Sequence, residues 1–229
     1  MIDIHTHILP SVDDGSKEVE KSLEMLKNSV EQGITKIILT PHYRRHFNKT
    51  ATYLKSAYES FCKTVKEAGI DVELYLGQEI YYNSDIKKDL SSGKLLTMND
   101  TKYLLVEFSS TEESEVADAV YELKNAGYIP IVAHVERYEY LDIDDIFEIV
   151  NLGGYIQVNA ESFAGDKKKS YKKIVKKLFK ENLVDFVASD IHENRTNCMQ
   201  KAKLFVEKKY GVEIANKVFI ENANKIIEG

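Results

Sequence analysis

Met1-Ile2-Asp3-Ile4-His5-Thr6-His7 alternates along its length, with Ile2, Ile4 and Thr6 at one parity and Asp3, His5 and His7 at the other. A short run of this kind reads as a β-strand, and two histidines two residues apart on a strand share one face. Both can therefore bind one ion. Six further runs are of similar length: Lys36–Thr40, Val72–Gln78, Tyr103–Phe108, Ile129–Ala133, Tyr155–Val158 and Phe186–Ala188. Near-continuous Ile, Val and Leu is the pattern of parallel strands covered on both faces. Helical periodicity fills the gaps. Val19, Leu23, Leu26 and Val30 recur at 3.6-residue spacing before Gly33, and Leu54, Ala57, Tyr58, Phe61 and Val65 do so before Gly69. Val116–Leu123, Ile143–Val150 and Ile174–Phe179 repeat the pattern, and two more helices are expected between Thr196 and Gly229. Strands alternating with helices imply βα units on a parallel sheet. About seven units suggest a closed or nearly closed barrel. An open doubly wound sheet is the rival, weakened by the absence of G-x-G-x-x-G and P-loop fingerprints.

The strand ends carry the chemistry. His5 and His7 close the first run, and His42 follows the second in Thr40-Pro41-His42. Glu79 and Glu107 end the third and fourth, His134 ends the fifth, and Asp190 and His192 follow the seventh. In a parallel barrel these ends converge on one face, where active sites are built. A lone histidine there is usually structural and a lone glutamate often a cap. Five of the six histidines falling at strand exits beside several carboxylates is a different matter. Buried carboxylates need cations, and His with carboxylate but no Cys suits Zn, Mn or Fe. Asp13-Asp14-Gly15-Ser16 precedes the first helix, so one aspartate reads as a cap and the other as a possible ligand. Only four arginines occur. Arg137 lies three residues after His134, and Arg195 three after His192. Each reads as half of a phosphate clamp or as a surface ion pair.

Composition excludes several classes. The 229 residues are 43% hydrophobic and 30% charged, which suits one folded domain and excludes a disordered chain. The net charge of −6 gives no global field for nucleic acid. No stretch is apolar for the ~18 residues that a membrane span needs, and no signal peptide is evident, so a cytoplasmic protein is expected. Cys62 and Cys198 form no CxxC pair. A cysteine-dependent phosphatase needs an arginine six residues after its thiolate, but Ala68 and Leu204 stand there. Lysines between Lys167 and Lys180 form a stripe that reads as the solvated face of an outer helix or as a docking surface for an anionic membrane or acidic partner.

Asp3-Ile4-His5-Thr6-His7, Val12-Asp13-Asp14-Gly15, Thr40-Pro41-His42, Glu79-Ile80-Tyr81-Tyr82, Ala133-His134-Val135-Glu136-Arg137-Tyr138 and Ser189-Asp190-Ile191-His192 together resemble the polymerase-and-histidinol-phosphatase (PHP) family. Within it they are similar to the manganese-dependent protein-tyrosine phosphatases of bacterial capsule and exopolysaccharide operons, the CpsB/YwqE type. The resemblance spans nearly the whole chain. It implies the α/β class with a distorted (β/α)7 TIM-like barrel as one domain over 1–229. It also implies three metal ions, manganese by family habit, although iron and zinc accept the same donors. One ion would take His5, His7, Glu79 and Asp190. A second would share Glu79 with Glu107 and His134, and a third would take Asp14, His42 and His192. Arg137 matches the family's phosphate-binding arginine, whereas similar proteins place the counterpart of Arg195 a few residues further on. Water activated at the ions would attack phosphorus directly, with Asp13 or a water as proton donor. Tyr81, Tyr82 and Tyr138 would line the entrance. The implied substrate is a tyrosine-phosphorylated protein, namely the C-terminal tyrosine cluster of a membrane-associated bacterial tyrosine kinase; a homo-oligomer is compatible with this. Two alternatives stand beside it: a small-molecule phosphatase of the histidinol-phosphate type, and a PHP-like module without catalysis.

Overall fold

The computed structural model describes residues 1–229. Its strands are β1 (Ile2–Thr6), β2 (Lys36–Leu39), β3 (His42–Tyr43), β4 (Glu73–Leu76), β5 (Glu79–Tyr81), β6 (Tyr103–Glu107), β7 (Ile129–Val132), β8 (Tyr155–Asn159) and β9 (Phe186–Ala188). Every ladder is parallel, in the orders β1-β2-β4 and β3-β5-β6-β7-β8-β9. The two sheets are one barrel wall. β2 and β3 are halves of a single strand broken at Thr40-Pro41, and β4 and β5 are halves of another broken at Gly77-Gln78. Pairing continues across the breaks, since Gly77 donates its N–H to the Leu39 carbonyl at 2.8 Å and Glu79 donates to Pro41 at 3.1 Å. Pro41 has no N–H to offer a ladder. A Cβ on Gly77 would lie 2.7 Å from Met98 Sδ.

Seven strands thus close a distorted barrel. The closing seam lies between β9 and β1. There Asp190 N–H donates to the His5 carbonyl at 2.9 Å and His7 N–H to the Ile191 carbonyl at 3.0 Å. Ser189 N–H also donates to Asp3 Oδ1 at 3.0 Å.

The helices are α1 (Val19–Glu31), α2 (Ala51–Glu67), α3 (Ile86–Ser91), α4 (Val116–Asn125), α5 (Ile143–Asn151), α6 (Ala160–Ala164), α7 (Lys169–Lys180), α8 (Met199–Tyr210), α9 (Val212–Asn216) and α10 (Asn222–Glu228). Gly33 and Gly153 stop α1 and α5 in the left-handed region, at φ 81° and 88°. Leu26, Leu54, Phe61, Val120, Leu123, Ile149 and Leu178 bury the helical stripes against Ile37, Leu39, Leu104, Val106, Val132 and Val158. A second apolar cluster joins Ile4, Ile38, Leu105, Ile131 and Phe186 to Met98, Ala223 and Ile226. Leu105 lies one pleat repeat below Glu107 on the same strand face, so an apolar layer underlies the polar rim. No helix is long and apolar enough to cross a membrane.

All seven expected runs form strands. β3, β5, α3 and α6 escape sequence reading because two to six residues show no period. The lysine helix α7 has Val175, Leu178 and Phe179 buried on its inner side and most of its lysines exposed.

Candidate metal centre

His5, His7, Asp14, His42, Glu79, Glu107, His134, Asp190 and His192 come together at the C-terminal rim. Four overlapping groups have donor atoms within 4.8 Å of one another. They are His7, Asp14, His42 and His192; His5, His7 and Asp190; His5, Glu79 and His134; and His42, Glu79 and Glu107. The second group shares three of the four donors expected for one ion, and the first contains all three expected for another. Glu79 lies at the middle. Its Oε1 is 2.9 Å from His134 Nε2 and 3.2 Å from His5 Nε2, and its Oε2 is 2.7 Å from His42 Nδ1 and 3.3 Å from His7 Nε2.

Neighbouring groups set the tautomers. His134 N–H donates to Gln157 Oε1 at 3.0 Å, which turns the amide oxygen toward His5 Nδ1, also at 3.0 Å. His5 therefore carries its proton on Nδ1. His7 Nδ1 faces the Asp13 carboxylate at 2.7 Å and is likewise the protonated nitrogen. The remaining lone pairs, His5 Nε2 and His7 Nε2, face each other at 3.1 Å. Two bare lone pairs repel, so a proton or a cation belongs between them. Asp190 Oδ1 stands 3.7 Å from His5 Nε2 and 3.4 Å from His7 Nε2, and Glu79 Oε2 and Glu107 Oε2 are buried without a hydrogen-bond partner. A divalent ion matches that charge. The donor set fits a metal cluster.

Charge coupling follows the same geometry. Burial and the Arg137 charge push His134 down to about 4, leaving a neutral ligand. Burial and the neighbouring Glu79 charge push Glu107 up to about 7. Burial opposes protonation of His42, but Glu79 and Asp14 raise it to about 9. His134 and Asp190 also adopt left-handed backbone, at φ 35° and 49°, which costs ~1–3 kcal/mol per non-glycine residue and marks positions held by their surroundings.

Arg137 and Arg195 both converge on Asp190 Oδ2, Arg195 at 2.6 Å, and Asn159 Nδ2 joins them at 2.8 Å. The two arginine side chains remain 24% and 29% exposed, so both reach the rim rather than forming remote surface pairs.

Three expectations need correction. Asp13 is not placed to deliver a proton. It lies behind His7, away from the donor cluster. Its Oδ2 accepts from His7 Nδ1 and from His42 N–H at 3.0 Å, and its Oδ1 accepts from Gly15 N–H at 3.0 Å. Burial opposes ionisation, yet His7 holds this carboxyl below its ordinary value. Asp13 is therefore a carboxylate that orients His7. Neither Asp13 nor Asp14 caps α1, whose N-cap is Glu18. Tyr138 does not line an entrance. It is buried, and its hydroxyl accepts the Phe108 N–H at 3.0 Å. Tyr81 and Tyr82 stay half-buried.

Sequence reading missed the roles of five residues. Gln157 Nε2 donates to Asn159 Oδ1 at 2.7 Å, so the two amides carry a relay from His5 to Asp190. Glu136 Oε1 accepts from Asn159 N–H at 3.0 Å and from Ser162 Oγ at 2.6 Å, tying the His134–Tyr138 turn to β8 and α6. Arg44 Nη2 donates to Asp14 Oδ2 at 2.5 Å. Gly15 presses the Asp13-Asp14 turn onto β1, since a Cβ there would lie 2.0 Å from the His7 carbonyl oxygen.

Known proteins share this plan. The family model for capsular polysaccharide synthesis, CpsB/CapC, matches residues 1–228. Tyrosine-protein phosphatase CpsB of Streptococcus agalactiae is 36% identical, over all of this chain and 98% of its own. Tyrosine-protein phosphatase YwqE of Bacillus subtilis is 36% identical, over 99% of this chain and 91% of its own. A solved structure from work on Bacillus subtilis YwqE and Streptococcus pneumoniae CpsB, described as unique metal-dependent tyrosine phosphatases, superposes with a TM-score of 0.93 at 34% identity. It covers 100% of this chain and 94% of the other. A histidinol phosphate phosphatase of Lactococcus lactis shares the fold alone, at a TM-score of 0.59 and 12% identity over 96% of each chain. With the family model spanning 228 residues and relatives alike from end to end, the chain belongs to the CpsB/CapC family.

Proposed function

We propose that this chain is a metal-dependent protein-tyrosine phosphatase. Its substrate in this reading is a phosphotyrosine-bearing bacterial tyrosine kinase at the membrane, reached from the cytoplasm, in the control of capsule or exopolysaccharide synthesis. The observation that carries it is the lone-pair contact of His5 and His7 inside a ring of carboxylates, with two arginines at its edge. Manganese is the proposed metal, in a three-ion cluster held by His5, His7, Asp14, His42, Glu79, Glu107, His134, Asp190 and His192. Such ions lower the pKa of bound water and offset charge on a phosphoryl group. The chain's own groups do the rest. Gln157 and Asp13 keep the Nε2 atoms of His5 and His7 bare. Arg137 and Arg195, braced on Asp190, present guanidinium edges to the phosphoryl oxygens of a phosphotyrosine. Phenolate, with a pKa of ~10, leaves with less proton assistance than a serine alkoxide.

Phosphate release from a tyrosine-phosphorylated kinase-tail peptide tests this, with histidinol phosphate run in parallel, under added manganese and under chelator. The expected result is manganese-dependent release from the peptide that is lost in His5→Ala. Fast turnover of histidinol phosphate beside an inert peptide would replace this reading with the small-molecule one. Metal binding without turnover of either substrate would leave the non-catalytic module.

A further inference from the structure

Asp14 differs from every other donor of the cluster. Its side chain is 41% exposed, whereas Glu107 and His192, the next most open, are at 13% and 11%. It sits on the turn before α1 and takes no part in capping that helix. Its Oδ1 faces His42 Nε2 at 3.3 Å and His192 Nε2 at 3.4 Å. A single hydrogen bond reaches its other oxygen, from Arg44.

Arg44 is itself held. Its N–H donates to the Phe47 carbonyl at 2.8 Å and Phe47 N–H donates back at 2.7 Å, closing a tight hairpin. The guanidinium lies over the Phe47 ring at 5.3 Å, and the same ring stacks on His42 at 6.1 Å with a 20° tilt. One hairpin therefore touches two donors of the same group. Phe47 flanks His42, and Arg44 fixes the rotation of Asp14. Arg44 Nη1 stands 3.9 Å from Glu107 Oε2, so the guanidinium also leans toward the carboxylate side of the cluster.

We infer that Arg44 is a positioning residue that latches Asp14 in its ligand orientation, which makes the Asp14–His42–His192 position the one whose occupancy the Arg44–Phe47 hairpin controls. The inference rests on the metal-dependent reading above. His5 and His7 sit on a strand end and are backed by the buried Gln157 and Asp13. Asp14 has one partner, and that partner is a side chain at the surface. Removing an outer partner of a ligand typically weakens metal binding ~10–100-fold. Lysine does not replace the fork: it offers a point charge and stacks less well on Phe47.

The test is manganese stoichiometry after equilibration against graded chelator, for the full chain and for Arg44→Ala, Arg44→Lys, Phe47→Leu and Arg45→Ala. Phosphopeptide kinetics are measured beside it. Arg44→Ala should release one ion at a chelator level where the unaltered chain keeps its full complement. The affinity for that ion should fall ~10–100-fold. Excess manganese should restore kcat with KM for the peptide unchanged. Arg44→Lys and Phe47→Leu should lie between, and Arg45→Ala should match the unaltered chain. Unchanged stoichiometry and affinity in Arg44→Ala, with a raised KM, would overturn the latch and assign Arg44 to substrate. Equal weakening of all ions would overturn it too. A chain that binds no manganese before substitution refutes the metal-dependent reading itself, which is separate from any difference between variants.

Discussion

The two sides of the donor cluster are built differently. On the inner side, His5, Glu79 and His134 sit on strand ends and are nearly sealed from solvent. Their orientation comes from the barrel wall, through the Gln157–Asn159 relay on β8. On the outer side, Asp14 and His192 sit on segments that leave the wall, His42 sits on the two-residue strand β3 just past the break at Thr40-Pro41, and the supports are a turn pressed on β1 at Gly15 and a hairpin at Arg44–Phe47. The contrast separates two ways of holding a ligand. The inner side is rigid because strand register fixes it. The outer side is rigid only as far as a few loop contacts make it so, which suits the part of the site that a bulky substrate must approach.

The sharpest way to break that contrast is Gly15→Ala. The added Cβ would meet the His7 carbonyl at 2.0 Å, and backbone cannot give way cheaply. The turn must lift, so Asp13 leaves His7 and Asp14 leaves His42 in one step. A displacement near 1 Å is enough to lower kcat/KM by about 10²-fold or more. Steady-state kinetics with the fold checked by circular dichroism would read it, and near-normal turnover would mean that the outer side does not depend on this turn.

Gln157→Leu probes the inner side. It leaves His5 Nδ1–H and the His134 amide without their acceptor. Manganese affinity should fall ~10–100-fold, and each stranded buried donor costs ~1–3 kcal/mol of stability. Isothermal titration and thermal melts measure the two effects. Unlike Arg44→Ala, this variant should lose stability even without metal, and equal melting of the two metal-free variants would erase the distinction between wall and loop.

A smaller effect is a pH dependence confined to the metal-free chain. Glu107 is raised to about 7 and His42 to about 9, so the folded state holds both protons more tightly than the unfolded chain does. The stability they contribute is complete at low pH and is lost as pH rises through those values. His134 is shifted the opposite way and titrates below that range, so metal-free protein should melt lower at pH 9 than at pH 7, and bound manganese should flatten the difference. A metal-free melting temperature that rises over this window would contradict the charge arrangement.

The smallest expected change is in Tyr138→Phe, which removes the hydroxyl that accepts the Phe108 N–H. Stability should drop by ~1–3 kcal/mol, and because the hydroxyl also stands 3.4 Å from His134 Nδ1, any fall in kcat/KM should be recovered by excess manganese. A raised KM for the phosphopeptide that excess manganese does not correct would return Tyr138 to the substrate path.

The candidate donors were legible in the sequence because residue type and strand position recur together: one histidine or carboxylate at the end of an apolar run has ordinary uses, but five histidines and several carboxylates at such ends do not. The barrel was legible from the repeated alternation of short runs and amphipathic helices. What holds the donors was harder to read. Asp13 and Asp14 are adjacent and chemically alike, yet one backs His7 and the other faces His42, a division set by how the turn folds on Gly15. Arg44 looks like any loop arginine until the hairpin brings it to Asp14. One signal was readable: Gln157 and Asn159 alternate in Tyr155-Ile156-Gln157-Val158-Asn159, putting two amides on one face of a buried strand, where each must find a partner.

The seam between β9 and β1 has a consequence for how the protein is made. Ser189 and Asp3, which meet there, are 186 positions apart in the chain. At a ribosomal rate of ~5–20 residues per second, His5 and His7 emerge roughly 10–40 s before Asp190 is synthesised. During that interval the nascent chain carries a histidine pair with no enclosing wall. Closing the barrel and completing the donor set are one event, so the set of candidate ligands exists only at the end of translation and not at its beginning.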